Sequence, residues 1–374
     1  MSIYDEADRR MRARDVGGAL EVLETIRDAG GSEPALFLRI AALTTALGRL
    51  EEADLAISRA LAADPVAFEP LMMRGALLER MGRADEAALT YGRALANAPE
   101  PLAPRWAAPA ERGRARYRDW QLKTRDALRA VAAAADGLTP GVEGMIDHAL
   151  RLVEAGEPGP THYRFPGIRA QGYWDHRDWP WAEELERASD AIAAEYRALW
   201  QARQASAVPY IDYPDDVPID QWADLNRSRD WSVFHLISRG VTDAAVASAC
   251  PTTMAMLAKL GMPVIAGAGP NAVFSILAPR THIPPHRGIT NARLLIHLPL
   301  ILPAGCWLRV GEERREWCMG EAWVFDDSFE HEAMNPSDET RVILIADIWH
   351  PDLSEADRRG VAAVIGGGGQ IHGW

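Results

Sequence analysis

Six apolar runs set close together decide how the C-terminal half folds: Ala272-Val-Phe-Ser-Ile-Leu-Ala278, Ala292-Arg-Leu-Leu-Ile-His-Leu-Pro-Leu-Ile301, Cys306-Trp-Leu-Arg-Val310, Arg314-Arg-Glu-Trp317, Ala322-Trp-Val-Phe325 and Arg341-Val-Ile-Leu-Ile-Ala-Asp-Ile348. Turn signals separate them, at Pro303-Ala-Gly305, Gly311-Glu-Glu313, Met319-Gly320 and Asn335-Pro-Ser-Asp338. Short strands at this spacing predict a small all-β sandwich or jelly roll. Two polar stretches fall between the runs and read as loops at strand edges. They are His286-Arg-Gly288 and Phe325-Asp-Asp-Ser-Phe-Glu-His-Glu332.

His286 and His331 suit a metal held in the mouth of such a barrel. Imidazole accepts several transition metals, so the pair alone does not choose iron over zinc. His282 and His286 stand four apart, but Pro284 and Pro285 between them forbid the helical turn that a zinc pair would need. Gly288 follows His286, where backbone can pass close to a bound ion.

Strand alternation adds an anion site. Arg293, Leu295 and His297 share one face, and Arg341, Ile343 and Ile345 share another. With those faces turned inward, an arginine enters an apolar cavity and needs an anionic partner. A guanidinium fork suits a carboxylate, and Ser275 adds a hydroxyl. The competing reading pairs Arg341 with an internal carboxylate such as Asp347.

The N-terminal part carries a repeat. Gly48, Ala53, Ala60 and Pro65 recur as Gly82, Ala87, Ala94 and Pro99, always 34 residues on. Small residues let the two helices of a hairpin approach, and proline ends the second. This resembles the tetratricopeptide repeat over two units. A degenerate third unit precedes them around Ala19, with Arg14 at the glycine position. Residues 1–100 are therefore expected to be helical repeats, either a surface for a peptide or protein partner or a stabilising cap.

Prolines from Pro99 to Pro104 mark a break. Helices are expected over 116–135 and 142–155, making 101–160 a helical connector. An aromatic, extended stretch follows from Tyr163, then helices over 182–204 and 248–260, with a strand ending at Asp230-Trp-Ser-Val-Phe-His-Leu236. Arg227 and Arg229 lie in an expected loop, facing either a substrate carboxylate or solvent. Residues 351–365 read as a helix, with a glycine-rich tail after them.

Composition narrows the function. A net charge of −13 argues against general nucleic-acid binding, while 48% hydrophobic residues suffice for real cores. Cys250, Cys306 and Cys318 form neither a disulfide framework nor a CxxC site. The polar N-terminus lacks a secretory segment, and the longest apolar run is too interrupted to span a bilayer. The expectation is a cytoplasmic protein without a membrane partner.

Ser275-Ile-Leu277, His286-Arg-Gly288, Thr290-Asn-Ala-Arg-Leu-Leu-Ile-His297, Gly320, Phe325-Asp-Asp-Ser-Phe-Glu-His-Glu332, Arg341 and Asp347-Ile-Trp-His-Pro351 together resemble the aspartyl/asparaginyl β-hydroxylase family. The likeness runs from Phe165-Pro-Gly-Ile-Arg-Ala-Gln171 through Pro351. It implies an α+β multidomain chain in which tetratricopeptide-like repeats precede a double-stranded β-helix (jelly roll, cupin-like) oxygenase domain over 161–355, with a helix and tail over 356–374.

By this resemblance His286 and His331 ligate Fe(II), and Gly288 stands where most such oxygenases place a carboxylate. Arg341 and Ser275 would hold the distal carboxylate of the cosubstrate 2-oxoglutarate, and His297 the carboxylate beside its keto group. Arg293 would receive an acidic substrate side chain, with Arg227 a second candidate. Asp326, Asp327, Glu330 and Glu332 are then structural. Leu295 departs from the family, which typically has arginine there. The implied reaction uses O2 to hydroxylate the β-carbon of Asp or Asn in a peptide or protein, releasing succinate and CO2. Alternatives keep the chemistry on a small molecule or acyl chain, or make the chain an inert repeat scaffold.

Overall fold

Three helical hairpins and the start of a longer helix make up the first unit, which extends to Thr124. The computed structural model describes residues 4–153, 159–214 and 220–367. The hairpins are α1 (Asp5–Arg12) with α2 (Val16–Asp28), α3 (Pro34–Ala46) with α4 (Leu50–Leu61), and α5 (Phe68–Arg80) with α6 (Ala84–Ala96). Their second helices begin at Val16, Leu50 and Ala84, a step of 34 residues each time, so the sequence period is the structural period. Ala19, Ala53 and Ala87 are buried at equivalent places. Gly75 admits the ring of buried Tyr91, since a Cβ there would lie 2.5 Å from it.

Gly48 and Gly82 both take φ 76 and close their first helices with a left-handed cap. The degenerate hairpin keeps this bend without glycine, because Arg14 sits at φ 61. Asp15 then caps α2 by accepting from the Gly18 amide at 2.9 Å.

The second unit begins at Arg125, inside α7 (Ala107–Ala134). That helix starts earlier than the expected 116. After α8 (Pro140–Ala149) come β1 (Tyr173–Trp174), α9 (Ala182–Arg187), α10 (Ser189–Arg203), β2 (Val208–Pro209), β3 (Trp231–Ser238), β4 (Val241–Thr242), α11 (Ala244–Ala247) and α12 (Pro251–Leu257). The single helix expected over 182–204 is thus two, divided at Ala188, and that over 248–260 is the shorter α12, which starts at Pro251 and ends at Leu257. The helix expected over 142–155 starts earlier, at Pro140, and ends at Ala149 with Leu150 as its cap, short of the expected end.

Eight strands then pass back and forth between two sheets, except at the β8–β9 hairpin: β5 (Ala272–Leu277), β6 (Thr281–His286), β7 (Arg293–Ile301), β8 (Trp307–Val310), β9 (Glu313–Glu316), β10 (Trp323–Phe325), β11 (His331–Asn335) and β12 (Arg341–Trp349). The larger sheet runs β1-β10-β7-β12-β5-β3-β2, with β4 on β3, and the smaller runs β6-β11-β8-β9. Every pairing is antiparallel. Consecutive strands of β5–β12 thus lie in two facing sheets as the winding of a double-stranded β-helix. The chain ends its described part in α13 (Glu355–Gly367). The terminal glycine-rich tail expected to be flexible lies, from residue 368 on, outside the described residues.

Alternation sorts the side chains into two cores. Phe234, Phe274, Ile276, Leu298 and Leu344 face outward beneath Ile192, Tyr196 and Leu199 of α10. Trp231, Leu277, Leu308, Trp317, Phe325 and Ile343 fill the space between the sheets. The three cysteines are unpaired. Among the described residues no helix is long and apolar enough to cross a membrane.

One prediction concerns Arg14. A non-glycine residue in the left-handed region costs about 1–2 kcal/mol, partly offset by glycine's greater freedom in the unfolded chain. Arg14→Gly is expected to stabilise the helical unit by about 0.5–1 kcal/mol, read as a higher denaturant midpoint of the helical circular-dichroism transition. A lowered midpoint would mean that the Arg14 side chain contributes more than its backbone strain takes away.

Candidate active site

His286 and His331 are directly opposite each other on β6 and β11, with ring centroids 4.0 Å apart and planes at 52°. The sequence placed both in loops, and the structure corrects this: each ends or begins a paired strand. The reason the strand was hidden is local. His331 pairs with His286 and Ala333 with Ile283, so Glu332 stands opposite both Pro284 and Pro285. This is a β-bulge on an edge strand, where the missing proline amides cost no ladder bond.

Nearby backbone carbonyls also fix the tautomer of each ring. His286 Nδ1 donates to the Pro284 carbonyl at 2.8 Å, and His331 Nδ1 to the Phe329 carbonyl at 3.0 Å. With the proton on Nδ1, each Nε2 keeps its lone pair, the tautomer a metal needs. Burial pushes His286 down to about 3 and His331 to about 4, so both rings are neutral at ordinary pH. Two imidazoles bound side by side at a metal–nitrogen distance of about 2.1 Å have ring centres roughly 4 to 5 Å apart, and the observed spacing fits. Among the described residues no cluster of three or more His, Cys, Asp or Glu side chains surrounds one metal position; the fold supplies the imidazole pair.

Beside it lies an unbalanced cation. Arg341 is 1% exposed, and its Nε and one terminal nitrogen have no hydrogen-bond partner. Burial lowers its pKa to about 10, which leaves it charged. The sequence offered Asp347 as its partner, and the structure gives Asp347 to Arg293 instead, at 3.0 Å. Ser275 and Arg341 are diagonal neighbours across β5 and β12, where Ser275 faces Ile343 and Arg341 faces Leu277. His297 is buried with an unpartnered Nδ1, and burial followed by Arg341 holds its pKa well below the usual range. Phe325 links the two groups, 4.7 Å from His297 and 5.6 Å from His331 between ring centroids.

Arg293 and Leu295 line a separate recess of about 180 Å³ with Val273, Ile345, Asp327 and Asp347. Arg293 is engaged there: besides Asp347, its guanidinium lies 4.0 Å from Asp327. Asp347 is held in turn by the Asn271 amide at 2.8 Å. Asp327 also explains Gly288, because a Cβ on Gly288 would lie 2.3 Å from its carboxylate. Arg227 is exposed, at φ 57, with its Nε 3.0 Å from Asp212.

Two tryptophans belong to the site that the sequence reading did not single out. Trp231 Nε1 donates to Ser275 Oγ at 3.1 Å, and Tyr210 stacks on the same indole at 4.0 Å. Trp317 lies 5.3 Å from the Arg341 guanidinium, with its own Nε1 buried and unpartnered. Strand alternation places Trp231 and Ser275 on one inner face, a signal that was available. Trp317 stands one residue past β9 and gave none. The histidine of the C-terminal motif, His350, is structural, with Nε2 on the Arg169 carbonyl at 3.1 Å and its ring edge-on to Trp174.

Comparison with known proteins agrees with this geometry. Residues 186–351 match the family model described as Aspartyl/Asparaginyl beta-hydroxylase. The chain is 32% identical over 203 residues to the Aspartyl/asparaginyl beta-hydroxylase of Mus musculus, which covers 54% of this chain and 26% of that protein. It is 32% identical over 189 residues to the Aspartate beta-hydroxylase domain-containing protein 2 of Xenopus tropicalis, covering 50% of this chain and 49% of that protein. The Ornithine lipid ester-linked acyl 2-hydroxylase of Rhizobium tropici is 36% identical over 187 residues, 49% of this chain and 62% of that protein. The chain thus spans between about a quarter and under two thirds of the length of these relatives, and it is through residues 186–351 that it is similar to the aspartyl/asparaginyl β-hydroxylases.

Proposed function

We propose that this chain is an Fe(II)- and 2-oxoglutarate-dependent dioxygenase that hydroxylates the β-carbon of an Asp or Asn residue in a peptide or protein. The observation that supports it most is Arg341, a buried charge with unpartnered donors beside a facing imidazole pair. Such a charge is costly to keep alone, and a dicarboxylic keto acid supplies the missing anion. Its distal carboxylate fits the Arg341 fork and the Ser275 hydroxyl, whose orientation Trp231 fixes. His297 Nδ1 fits the carboxylate next to the keto group.

His286 and His331 would hold the metal, their protons parked at Nδ1 on backbone carbonyls. Bound there with the keto acid and O2, Fe(II) supplies the oxidation of a C–H bond, with loss of succinate and CO2. The chain's own share is to place that C–H bond and to keep water out with the aromatic wall of Phe325, Trp317 and Trp231. In the first unit, a groove of about 430 Å³ lined by Phe37, Ile40, Leu55 and Arg59 suits an extended segment of the substrate.

Succinate release from 2-oxoglutarate with Fe(II) is expected from the purified protein and is expected to vanish in His331→Ala. Turnover that survives this change would remove the metal assignment. Arg341→Met is expected to raise the KM for 2-oxoglutarate by at least about thirtyfold, the effect of losing a buried charge-assisted pair. The ligand-free variant should melt no lower than wild type, since its unpartnered charge is gone, and should lose the thermal shift on adding 2-oxoglutarate. A variant that melts lower and still shifts would mean that Arg341 is structural.

A further inference from the structure

The recess beside the imidazole pair is lined by one cation, Arg293, and two carboxylates, Asp327 and Asp347. Asp347 is fully engaged: it accepts from the Asn271 amide at 2.8 Å, from Asn271 Nδ2 at 3.2 Å and from Arg293 at 3.0 Å. Two atoms remain without partners. Arg293 Nε is a buried donor and Asp327 Oδ1 a buried acceptor, on side chains whose closest charged atoms are 4.0 Å apart. The remaining wall is apolar at Ala272, Val273, Leu295 and Ile345 and polar at Tyr210, His235 and Asn271. At about 180 Å³ the recess has room for about six waters, or a short side chain with flanking backbone.

We infer that this recess takes the carboxamide of an asparaginyl side chain and discriminates against the aspartyl carboxylate. A carboxamide offers one oxygen to accept from Arg293 Nε and one NH2 to donate to Asp327 Oδ1, so it satisfies both orphaned atoms at once. A carboxylate satisfies the arginine, leaves Asp327 unpartnered and brings a like charge against it. Arg293 has no charge to spare, with Asp347 on one terminal nitrogen and Asp327 near the other. Leu295 adds no second cation. The inference places the substrate side chain on the hydroxylase reading of the site, but the preference itself is a matter of binding.

The test measures binding of three peptide pools with degenerate flanks and a fixed central Asn, Asp or Ala. Calorimetry is run on the full chain twice, metal-free and with Mn(II) plus N-oxalylglycine, a non-reactive isostere of 2-oxoglutarate. The Asn pool is expected to bind at least about tenfold tighter than the Asp and Ala pools, the usual consequence of leaving a buried group unpaired. Asp327→Asn should shrink the gap between Asn and Asp, and Leu295→Arg should reverse it. An Asp pool binding as well as Asn overturns the inference. So does an Ala pool matching Asn, which would put the recognised amide on the backbone, or the absence of binding by any pool. N-oxalylglycine binding is scored in the same samples: its failure with an intact Asn preference fells the cosubstrate reading and leaves the recess assignment standing.

Discussion

A guanidinium closed off from solvent and left short of partners is the constraint around which this barrel is arranged. Arg341 sits at the start of β12, a strand paired along its length with β7 on one side and β5 on the other. That double pairing, with Trp317 against the guanidinium, holds in place a charge that a less supported strand would turn out to water. The neighbouring irregularities have the same character. His297 Nδ1, Trp317 Nε1, Arg293 Nε and Asp327 Oδ1 are buried without partners too, while Trp174 Nε1 and Arg358 Nε are two such atoms elsewhere. Local packing rules are broken most often around this guanidinium, the pattern expected where a site is built for something other than stability.

The two sheets divide the work. Ser275, His297 and Arg341 stand on β5, β7 and β12 of the larger sheet, and His286 and His331 on β6 and β11 of the smaller. The buried guanidinium with its serine and histidine neighbours and the imidazole pair are therefore built on separate layers, each held by its own ladder. Phe325, on β10, bridges them by touching one histidine from each set.

Much of this was legible in the residues, for reasons that also explain what was not. The helical period showed because small residues recur wherever helices cross, and six strands showed because their apolar alternation is dense. The inward set Arg293, Leu295, His297 followed from alternation alone. The strands that carry the metal-binding candidates were missed because Thr281-His-Ile-Pro-Pro-His286 and His331-Glu-Ala-Met-Asn335 lack that alternation and owe their conformation to pairing with each other. The partner of Arg293 was missed because it depends on register. Trp349 faces Arg293 and Asp347 faces Leu295, which puts Asp347 diagonal to the arginine, and no single-strand reading contains that.

The bulge in β6 has one more consequence. β6 is the outermost strand of the smaller sheet, and Pro284 and Pro285 take two amide donors out of it next to His286. A free sheet margin normally invites an incoming chain to dock as an extra strand, as well as unwanted association between copies. Here the margin nearest the imidazoles is a poor template for either. Backbone pairing is thus scarce along this margin, and whatever meets the imidazoles there is met by side chains rather than by a ladder of amides.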